Sequence, residues 1–432
     1  MNQRKILFLA CVLSFLCSTA RVADVSAAEK NSPEERGLPR FAVMSDTHIE
    51  NNCGEGAAVK VPRALKNFLG KTPQVDALFV VGDLTDHGRV EEYDRLMSVF
   101  GDRANVPEGI DVYFCMGYNH DRFGEAVVEN YLNGVKQPLH QYVEIKGYPF
   151  ITIGEGGARQ SAHNDEALRF LSEKLADAAV RYAGKPIFVF MHIPPLNTCY
   201  GSVQDEGWGT DIFLPVLERY PQAVVFSGHS HFPLGDPRSI HQDKFTAVND
   251  GSTTYSEIEP KVVNIGIHPE NYEYVTEGVI VSVLPGGNVE MERWDTYRDE
   301  RILPRWTVEA PHDGSRFSYK NRDGLPAPVF GRRAKLSVKH VAGDSIAVTF
   351  PQASDNEVVH HYIAEILEDG RVIASFSKFS QFYLNSMMPK ELSVDFSGLP
   401  AGKKLTPRIT AVDSYGNRSA PLYGKPFYSI KN

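Results

Sequence analysis

The sequence predicts an α/β domain with a largely parallel sheet, followed by an all-β sandwich domain. Up to about residue 300, short apolar runs alternate with amphipathic stretches, as in folds whose strands and helices alternate along the chain. After a stretch rich in proline, glycine and charge, the rest of the chain shows only short alternating runs between turn signals, which is typical of an all-β domain.

Runs of four or five residues, rich in β-branched and aromatic side chains, have the length of buried strands. They are Phe41–Met44, Ala77–Val81, Val112–Met116, Ile187–Met191 and Ala223–Phe226. Amphipathic stretches between them predict helices at Val61–Leu69, Glu91–Phe100, Asp165–Ala179 and Ile212–Arg219. Further strand-like runs follow at Phe245–Val248, Gly278–Leu284 and Val289–Trp294. The last two have hairpin spacing around Pro285-Gly286-Gly287.

Length and composition indicate a globular protein of several domains. The chain has 432 residues, of which 42 % are hydrophobic and 23 % charged, close to the globular average. The mean hydropathy of −0.28 excludes a polytopic membrane protein. The net charge of −9 argues against nucleic acid as a bulk partner, since binding to phosphate backbones needs basic surfaces.

The N-terminus predicts export. Arg4 and Lys5 precede an apolar run from Ile6 to Cys17, the pattern of a secretory signal peptide. This run is shorter than the roughly 20 residues that span a bilayer. Small residues allow cleavage after Ala20 or Ala28. We therefore expect a signal peptide over 1–28, a secreted or periplasmic location and no transmembrane segment; the alternative is an uncleaved N-terminal anchor.

The composition of the remaining chain sets the domain boundaries. We expect a polar linker at 29–40, a catalytic α/β domain at 41–300, a second linker at 301–333 and a β-sandwich at 334–432. Strands of the sandwich are predicted at Ile346–Phe350, Val358–Leu367 and Arg408–Val412.

Polar residues that can carry chemistry follow the ends of the predicted strands in the first domain. The five segments are Ser45-Asp46-Thr47-His48, Gly82-Asp83-Leu84-Thr85-Asp86, Gly117-Tyr118-Asn119-His120-Asp121, His192-Ile193-Pro194-Pro195 and Gly228-His229-Ser230-His231. Loops at the carboxyl ends of parallel strands form the ligand crevice of an open α/β sheet. We therefore expect these five segments to meet at one place.

The donors in these segments suit transition metals. Carboxylates, an amide and imidazoles are ligands for Zn, Fe or Mn, and no cysteine is among them. Their number exceeds what one tetrahedral ion needs. Two ions that share one carboxylate would use the full set, and two-metal sites of this kind bind phosphoryl groups and activate water. Each segment alone is weakly specific, and the prediction depends on their conjunction.

This ordered set resembles the motifs of the calcineurin-like metallophosphoesterase superfamily over about Phe41 to Trp294. The resemblance implies a four-layer α-β-β-α domain and two divalent or trivalent metal ions (Fe, Zn or Mn). One ion would bind Asp46, His48, Asp83 and His231. The other would bind Asp83, Asn119, His192 and His229. The resemblance also implies that a bridging hydroxide attacks phosphorus, that His120 is the general acid, and that Asp121 orients the His120 ring.

One position departs from the family pattern. Tyr118 stands where the family has glycine before Asn119, and Gly117 lies one place earlier. The Tyr118 ring either lines the substrate site or packs against the neighbouring loop. Asp86 is expected to stabilise its loop rather than to bind metal.

We expect a phosphoesterase that hydrolyses a phosphomonoester or phosphodiester on a small molecule or lipid. One alternative is a nucleotide- or pyrophosphate-cleaving member of the same superfamily, and another is a non-catalytic binding or scaffold protein that retains the fold. The end of the chain resembles a fibronectin type III-like domain through Leu399-Pro400-Ala401-Gly402 and the strand Ile409–Val412, although the family's corner tyrosine and core tryptophan are absent. This domain would pack on the catalytic domain, act as a spacer, or bind a surface or glycan.

The mature chain would keep Cys53, Cys115 and Cys199. Cys115 lies in an apolar run and is expected to be a buried thiol. A disulfide between Cys53 and Cys199 would be compatible with an oxidising compartment, but the sequence leaves their pairing open.

Overall fold

The structure is a computed structural model that describes residues 37–117, 119–122, 126–154, 162–203, 208–259, 268–342 and 345–429. The predicted signal peptide at 1–28 and most of the linker at 29–40 lie outside the described residues. In the part of the chain that is described, no helix is both long enough and apolar enough to cross a membrane.

Among the described residues of the first domain, twelve strands and five α-helices build the fold. The strands are β1 (Arg40–Met44), β2 (Ala77–Val81), β3 (Asp111–Cys115), β4 (His140–Ile145), β5 (Tyr148–Ile153), β6 (Ile187–Met191), β7 (Ala223–Ser227), β8 (Ile240–Gln242), β9 (Thr246–Asn249), β10 (Glu277–Val283), β11 (Val289–Asp295) and β12 (Glu300–Val308). The helices are α1 (Ala57–Leu69), α2 (Val90–Gly101), α3 (Val127–Val135), α4 (Ala162–Arg181) and α5 (Leu214–Leu217).

These strands form two six-stranded sheets that pack face to face. The first has the order β12-β11-β10-β1-β2-β3, and the second has the order β4-β5-β6-β7-β9-β8. The neighbours β1, β2 and β3 are parallel, as are β5, β6, β7 and β9. Antiparallel strands continue the first sheet on the β1 side and flank the parallel strands of the second sheet on both sides.

Aromatic side chains fill the space between the sheets. The Phe79 and Phe190 rings stack with their centroids 4.0 Å apart, and Phe41 meets Phe150 edge-on at 5.0 Å. The outer face of the first sheet buries apolar residues of α1, α2 and α3, and the outer face of the second buries those of α4 and α5. The four-layer α-β-β-α prediction is therefore confirmed. Because strands such as β2 are buried on both faces, they appear in the sequence as continuous apolar runs.

The linker predicted at 301–333 is wrong at its start. β12 pairs with β11 as the edge strand of the first sheet, and its Trp306 is buried in the core between the sheets. Pro304 within this run resembles linker composition, but an edge strand tolerates proline because one side of its backbone needs no partner. The hairpin β4–β5 and helix α3 were also not predicted, since β4 is half-exposed and polar.

The C-terminal domain is a β-sandwich, as predicted. Its strands are β13 (Ser337–Ala342), β14 (Ser345–Pro351), β15 (Val359–Glu368), β16 (Arg371–Phe379), β17 (Glu391–Phe396), β18 (Lys404–Asp413), β19 (Leu422–Tyr423) and β20 (Phe427–Tyr428). The sheet β13-β14-β17 faces the sheet β16-β15-β18-β19, and β20 also pairs with β18. Alternate residues of β14, β17 and β18 are buried, which is the pattern of strands with one core face.

Candidate metal centre

The five loops predicted to meet do so at the carboxyl ends of the parallel strands. Asp46 and His48 follow β1, Asp83 follows β2, and His192 follows β6. The pair His229 and His231 follows β7. Since β1 and β2 belong to the first sheet and β6 and β7 to the second, the site is built jointly by the edges of both sheets.

A first group of donors lies around Asp46. The group comprises Asp46, His48, Asp83 and His231, whose ligand atoms all lie within 4.8 Å of one another. His231 Nε2 is 3.1 Å from Asp46 Oδ1 and 3.1 Å from His48 Nε2. All four residues are buried. The structure thus brings together the four residues that the resemblance assigns to one ion.

A second group shares Asp83 with the first. It comprises Asp83, His192 and His229, and His192 Nε2 lies 3.2 Å from Asp83 Oδ1. Asn119, the fourth predicted ligand here, is half-buried in the turn after β3. The next residue in that turn, His120, donates its backbone N–H to Asp83 Oδ1 at 3.0 Å, so this loop also reaches the shared carboxylate.

The donor atoms fit metal ions. Asp83 Oδ2 and His229 Nδ1 are buried and have no hydrogen bond within the described residues. A buried polar atom left this way costs about 1–3 kcal/mol, which coordination would offset. The second nitrogens of two ligands are held by backbone carbonyls: His192 Nδ1 lies 2.9 Å from Val81 O, and His231 Nδ1 lies 3.1 Å from Tyr255 O. Such bonds orient imidazoles that bind metal through Nε2.

The candidate ligand residues have strained backbones. Five of them have positive φ: Asp46 (53°), His48 (39°), Asp83 (44°), His229 (68°) and His231 (57°). Side-chain-bearing residues enter this left-handed region at a cost of about 1–3 kcal/mol, and such strain clusters at functional sites. The surrounding structure must therefore hold these residues in place.

At two glycines of the motifs, neighbouring atoms lie too close to leave room for a side chain. A Cβ on Gly82 would lie 2.4 Å from the His192 ring, and a Cβ on Gly228 would lie 2.4 Å from Asp46 Oδ2. No other residue fits where loops from the two sheets come this close.

The electrostatics of the centre reflect burial and the neighbouring charges. Burial disfavours the Asp46 carboxylate, but His231 and His192 outweigh it and lower the pKa of Asp46 to about 2. Burial likewise disfavours a charged His231 ring, yet Asp46 raises the pKa of His231 to about 9. Burial and the neighbouring His192 lower the pKa of His229 to about 3. Burial also lowers the pKa of His48, so carboxylates and at least two neutral imidazoles are available as ligands.

The role predicted for Asp121 is wrong. Its carboxylate is buried, and it accepts the backbone N–H of Thr85 at 2.8 Å, of Leu84 at 3.0 Å and of Gly117 at 3.0 Å. Both oxygens therefore hold the loops after β2 and β3 together and do not orient the His120 ring. Burial, with the nearby Asp83, raises the pKa of Asp121 to about 7.

Asp86 holds the His120 ring instead. His120 Nδ1 lies 3.1 Å from the Asp86 carbonyl oxygen and 3.9 Å from its Oδ1. The same carboxylate oxygen lies 3.6 Å from His48 Nδ1. The His120 side chain is 34 % exposed, so it stands at the rim of the buried centre.

A segment after β9 contributes residues that the sequence reasoning missed. The Ser45 hydroxyl donates a hydrogen bond to Asp250 Oδ1 at 2.5 Å and also contacts Asp46 Oδ2. The Tyr255 ring lies over His231, with centroids 4.3 Å apart. On another flank, the Trp208 ring meets His229 at 5.2 Å. The polar run after the strand-like Phe245–Val248 was the available signal, because the same strand-end rule applies to it.

Two further predictions concern residues near the centre. Tyr118, the predicted substrate-binding residue, lies outside the described residues. Among the described cysteines, no disulfide joins Cys53 to Cys199, and Cys115 is a buried thiol as predicted.

Comparison with known proteins shows what this part of the chain is similar to. Residues 39–233 match the calcineurin-like phosphoesterase family. The chain is 27 % identical over 215 residues to the glycerophosphodiester phosphodiesterase GpdQ of Enterobacter lignolyticus (strain SCF1), and the match covers 44 % of this chain and 70 % of that protein. A probable glycerophosphodiester phosphodiesterase of Arcobacter nitrofigilis is 27 % identical over 203 residues, with the same shares covered. Among solved structures, the purple acid phosphatase PPD1 of yellow lupin (Lupinus luteus) aligns with a TM-score of 0.46 and 12 % identity, over 63 % of this chain and 54 % of that one.

Proposed function

We propose that this chain, whose residues 39–233 match the calcineurin-like phosphoesterase family, is a dinuclear metal-dependent hydrolase of small phosphodiesters. The observation that carries the proposal is the sharing of Asp83 between the two donor groups. A carboxylate between two groups of donors is what two neighbouring ions require. The named function of the two bacterial relatives supports a diester substrate.

Each ion would take its ligands from the loops of both sheets. Asp46, His48, Asp83 and His231 would hold one ion, and Asp83, Asn119, His192 and His229 would hold the other. Divalent cations at such positions neutralise phosphoryl oxygens and make water a better nucleophile near neutral pH. Fe, Zn and Mn are all candidates for the bound metal, because oxygen and imidazole donors suit each of them.

His120 would donate a proton to the leaving oxygen. Its Nδ1 is held by the Asp86 carbonyl, and a carbonyl oxygen only accepts, so Nδ1 carries a hydrogen. Nε2 can then give up a proton when the ring is doubly protonated, which leaves a neutral imidazole of defined tautomer. The edge-on contact between the His120 and His48 rings, at 4.4 Å, keeps this acid beside the first donor group.

The N-terminal segment supports a secreted or periplasmic enzyme. Its basic start and apolar run fit a signal peptide. N-terminal sequencing of the protein recovered from culture medium or periplasm tests this part of the proposal. A mature end near Ala20 or Ala28 is expected, and an intact Met1 on exported protein would contradict it.

Metal analysis combined with a substrate panel tests the proposed activity. Purified full-length protein is reconstituted with Mn, Fe, Zn or Co and assayed on bis(p-nitrophenyl) phosphate, p-nitrophenyl phosphate, glycerophosphodiesters, cyclic nucleotides and pyrophosphates. We expect about two equivalents of metal and faster turnover of diesters than of monoesters. Preference for nucleotides or pyrophosphates would redirect the assignment within the family. Absence of both metal and hydrolysis would leave the scaffold alternative.

A further inference from the structure

We infer that the C-terminal sandwich positions the metal ligand His231 through residues 255–259, here called the bridging segment. One end of this segment contacts His231, and the other end is held by the sandwich. The inference rests on the proposed function only in that His231 binds a metal ion. It assigns the sandwich a part in forming the metal centre, beyond packing or spacing.

The first end of the bridging segment makes three contacts with His231. The carbonyl oxygen of Tyr255 lies 3.1 Å from His231 Nδ1, and the Tyr255 ring packs on the imidazole with centroids 4.3 Å apart. The Glu257 backbone N–H donates to His231 O at 2.9 Å. These contacts fix both the ring and the backbone of a residue whose φ is 57°.

The second end is held by a buried network that crosses between the domains. Glu259 Oε1 accepts a hydrogen bond from Arg238 Nη2 at 3.1 Å and lies 3.2 Å from His360 Nε2 on β15 of the sandwich. Its other oxygen, Oε2, accepts the Tyr200 hydroxyl. The His360 side chain is 3 % exposed, so this contact is shielded from solvent.

Apolar contacts reinforce the same junction. Ile258, which lies between the two ends of the bridging segment, is fully buried. It belongs to one cluster with residues of both domains: Tyr200, Phe232, Val275, Phe379, Phe382, Tyr383 and Leu384. Nearby, the Ser414 hydroxyl of the sandwich donates to Asp236 Oδ2 at 2.8 Å, and Asp236 also pairs with Arg238.

These contacts connect the sandwich to the metal centre over a short path. Glu257, which contacts His231, and Glu259, which contacts His360, are two residues apart. A displacement of His360 is therefore transmitted to His231 over a short stretch of backbone. A left-handed residue persists only where its surroundings over-determine it. We therefore assign His360 and Glu259 as positioning residues for His231.

The test compares Mn²⁺ binding to the full-length chain and its variants by isothermal titration. His360→Ala removes the partner of Glu259, His360→Gln keeps an N–H donor near the Nε2 position, and His340→Ala removes an exposed histidine of the same domain. We expect His360→Ala to weaken one of two Mn²⁺ equivalents about tenfold, within the range for lost outer-shell partners. His360→Gln should restore much of that affinity, and His340→Ala should match wild type.

The outcomes separate this inference from the proposed function. Equal Mn²⁺ affinity in wild type and His360→Ala would overturn the positioning role and leave the function standing. A wild-type chain that binds none of Mn²⁺, Fe²⁺ and Zn²⁺ would overturn both. If circular dichroism shows that His360→Ala does not fold, Glu259→Gln decides, because it keeps the side-chain shape and removes the charge. An unchanged affinity there would overturn the inference as well.

Discussion

Asp83 Oδ1 lies 3.2 Å from His192 Nε2, which joins a loop of the first sheet to a loop of the second. Through its other oxygen, Asp83 lies 4.0 Å from His48 Nε2. This single carboxylate therefore belongs to both donor groups, and the two groups depend on the packing of the two sheets against each other.

Replacing Asp83 with asparagine should remove both equivalents of metal and abolish hydrolysis. An amide cannot supply two anionic oxygens to two ions, and the second donor group would keep no carboxylate at all. Metal content by mass spectrometry and the diesterase rate measure the effect. Asp94→Asn, an exposed change on α2, is the matched control and should behave as wild type. One full equivalent retained in Asp83→Asn would show that the carboxylate is not shared.

Adding one methyl group at Gly82 should disrupt the centre. The Cβ of Gly82→Ala would lie 2.4 Å from the His192 ring, so the ring must leave its place. Gly184→Ala is the control, because Gly184 has the same φ of 80° and no atom within 4 Å of a Cβ. We expect only about 1 kcal/mol of destabilisation there. Thermal melting and Mn²⁺ titration compare the two variants. Similar losses of stability and of Mn²⁺ affinity in both would mean that backbone strain alone causes the effect.

Removing the His120 imidazole should slow turnover according to the leaving group. His120→Ala is expected to keep bound metal and to lose about 10²–10⁴-fold in kcat for alkyl phosphodiesters. Nitrophenyl esters, whose leaving group needs no proton, should lose far less. A series of aryl and alkyl diesters measures the dependence. An equal loss across the series would remove His120 from the role of general acid.

The strand ends of the first domain could be predicted because their strands are buried on both faces. Runs such as Ala77–Val81 stand out in the sequence, and the strand-end rule then locates Asp83 and its partners. The edge strand β12 was missed because Pro304 and its exposed residues resemble a linker. The family resemblance assigns Asp121 to the His120 ring, whereas its carboxylate reaches backbone of the loop after β2. Contacts of that kind depend on the path of the loops, which no periodicity encodes.

Asp121→Asn should therefore lower stability rather than affect a single chemical step. The buried carboxylate accepts backbone N–H groups on both oxygens, and an amide NH₂ would face one of those donors. The cost of such a mismatch is about 1–3 kcal/mol. Urea unfolding measures it, and the rates for good and poor leaving groups should fall together. A loss confined to poor leaving groups, with stability unchanged, would restore the orienting role.

Glu277 should make stability fall as pH rises. It is buried beside β1 in the first sheet, Oε2 accepts the Leu234 N–H at 2.8 Å, and Oε1 has no hydrogen bond within the described residues. Burial raises the pKa of Glu277 from 4.5 to about 8, so the folded chain keeps a proton that the unfolded chain loses. Its contribution is complete below pH 4.5 and is lost as pH approaches about 8.

Glu277→Gln tests this pH dependence, because it mimics the protonated carboxyl and cannot titrate. Relative to wild type, the variant should gain stability progressively between pH 5 and 8 and show a flatter profile of unfolding free energy against pH. The comparison uses urea unfolding at several pH values. The protein is metal-free, so that bound ions at the centre do not contribute to its stability. Parallel profiles for the two proteins would mean that Glu277 is ionised in the fold, with Arg293 as its compensating charge.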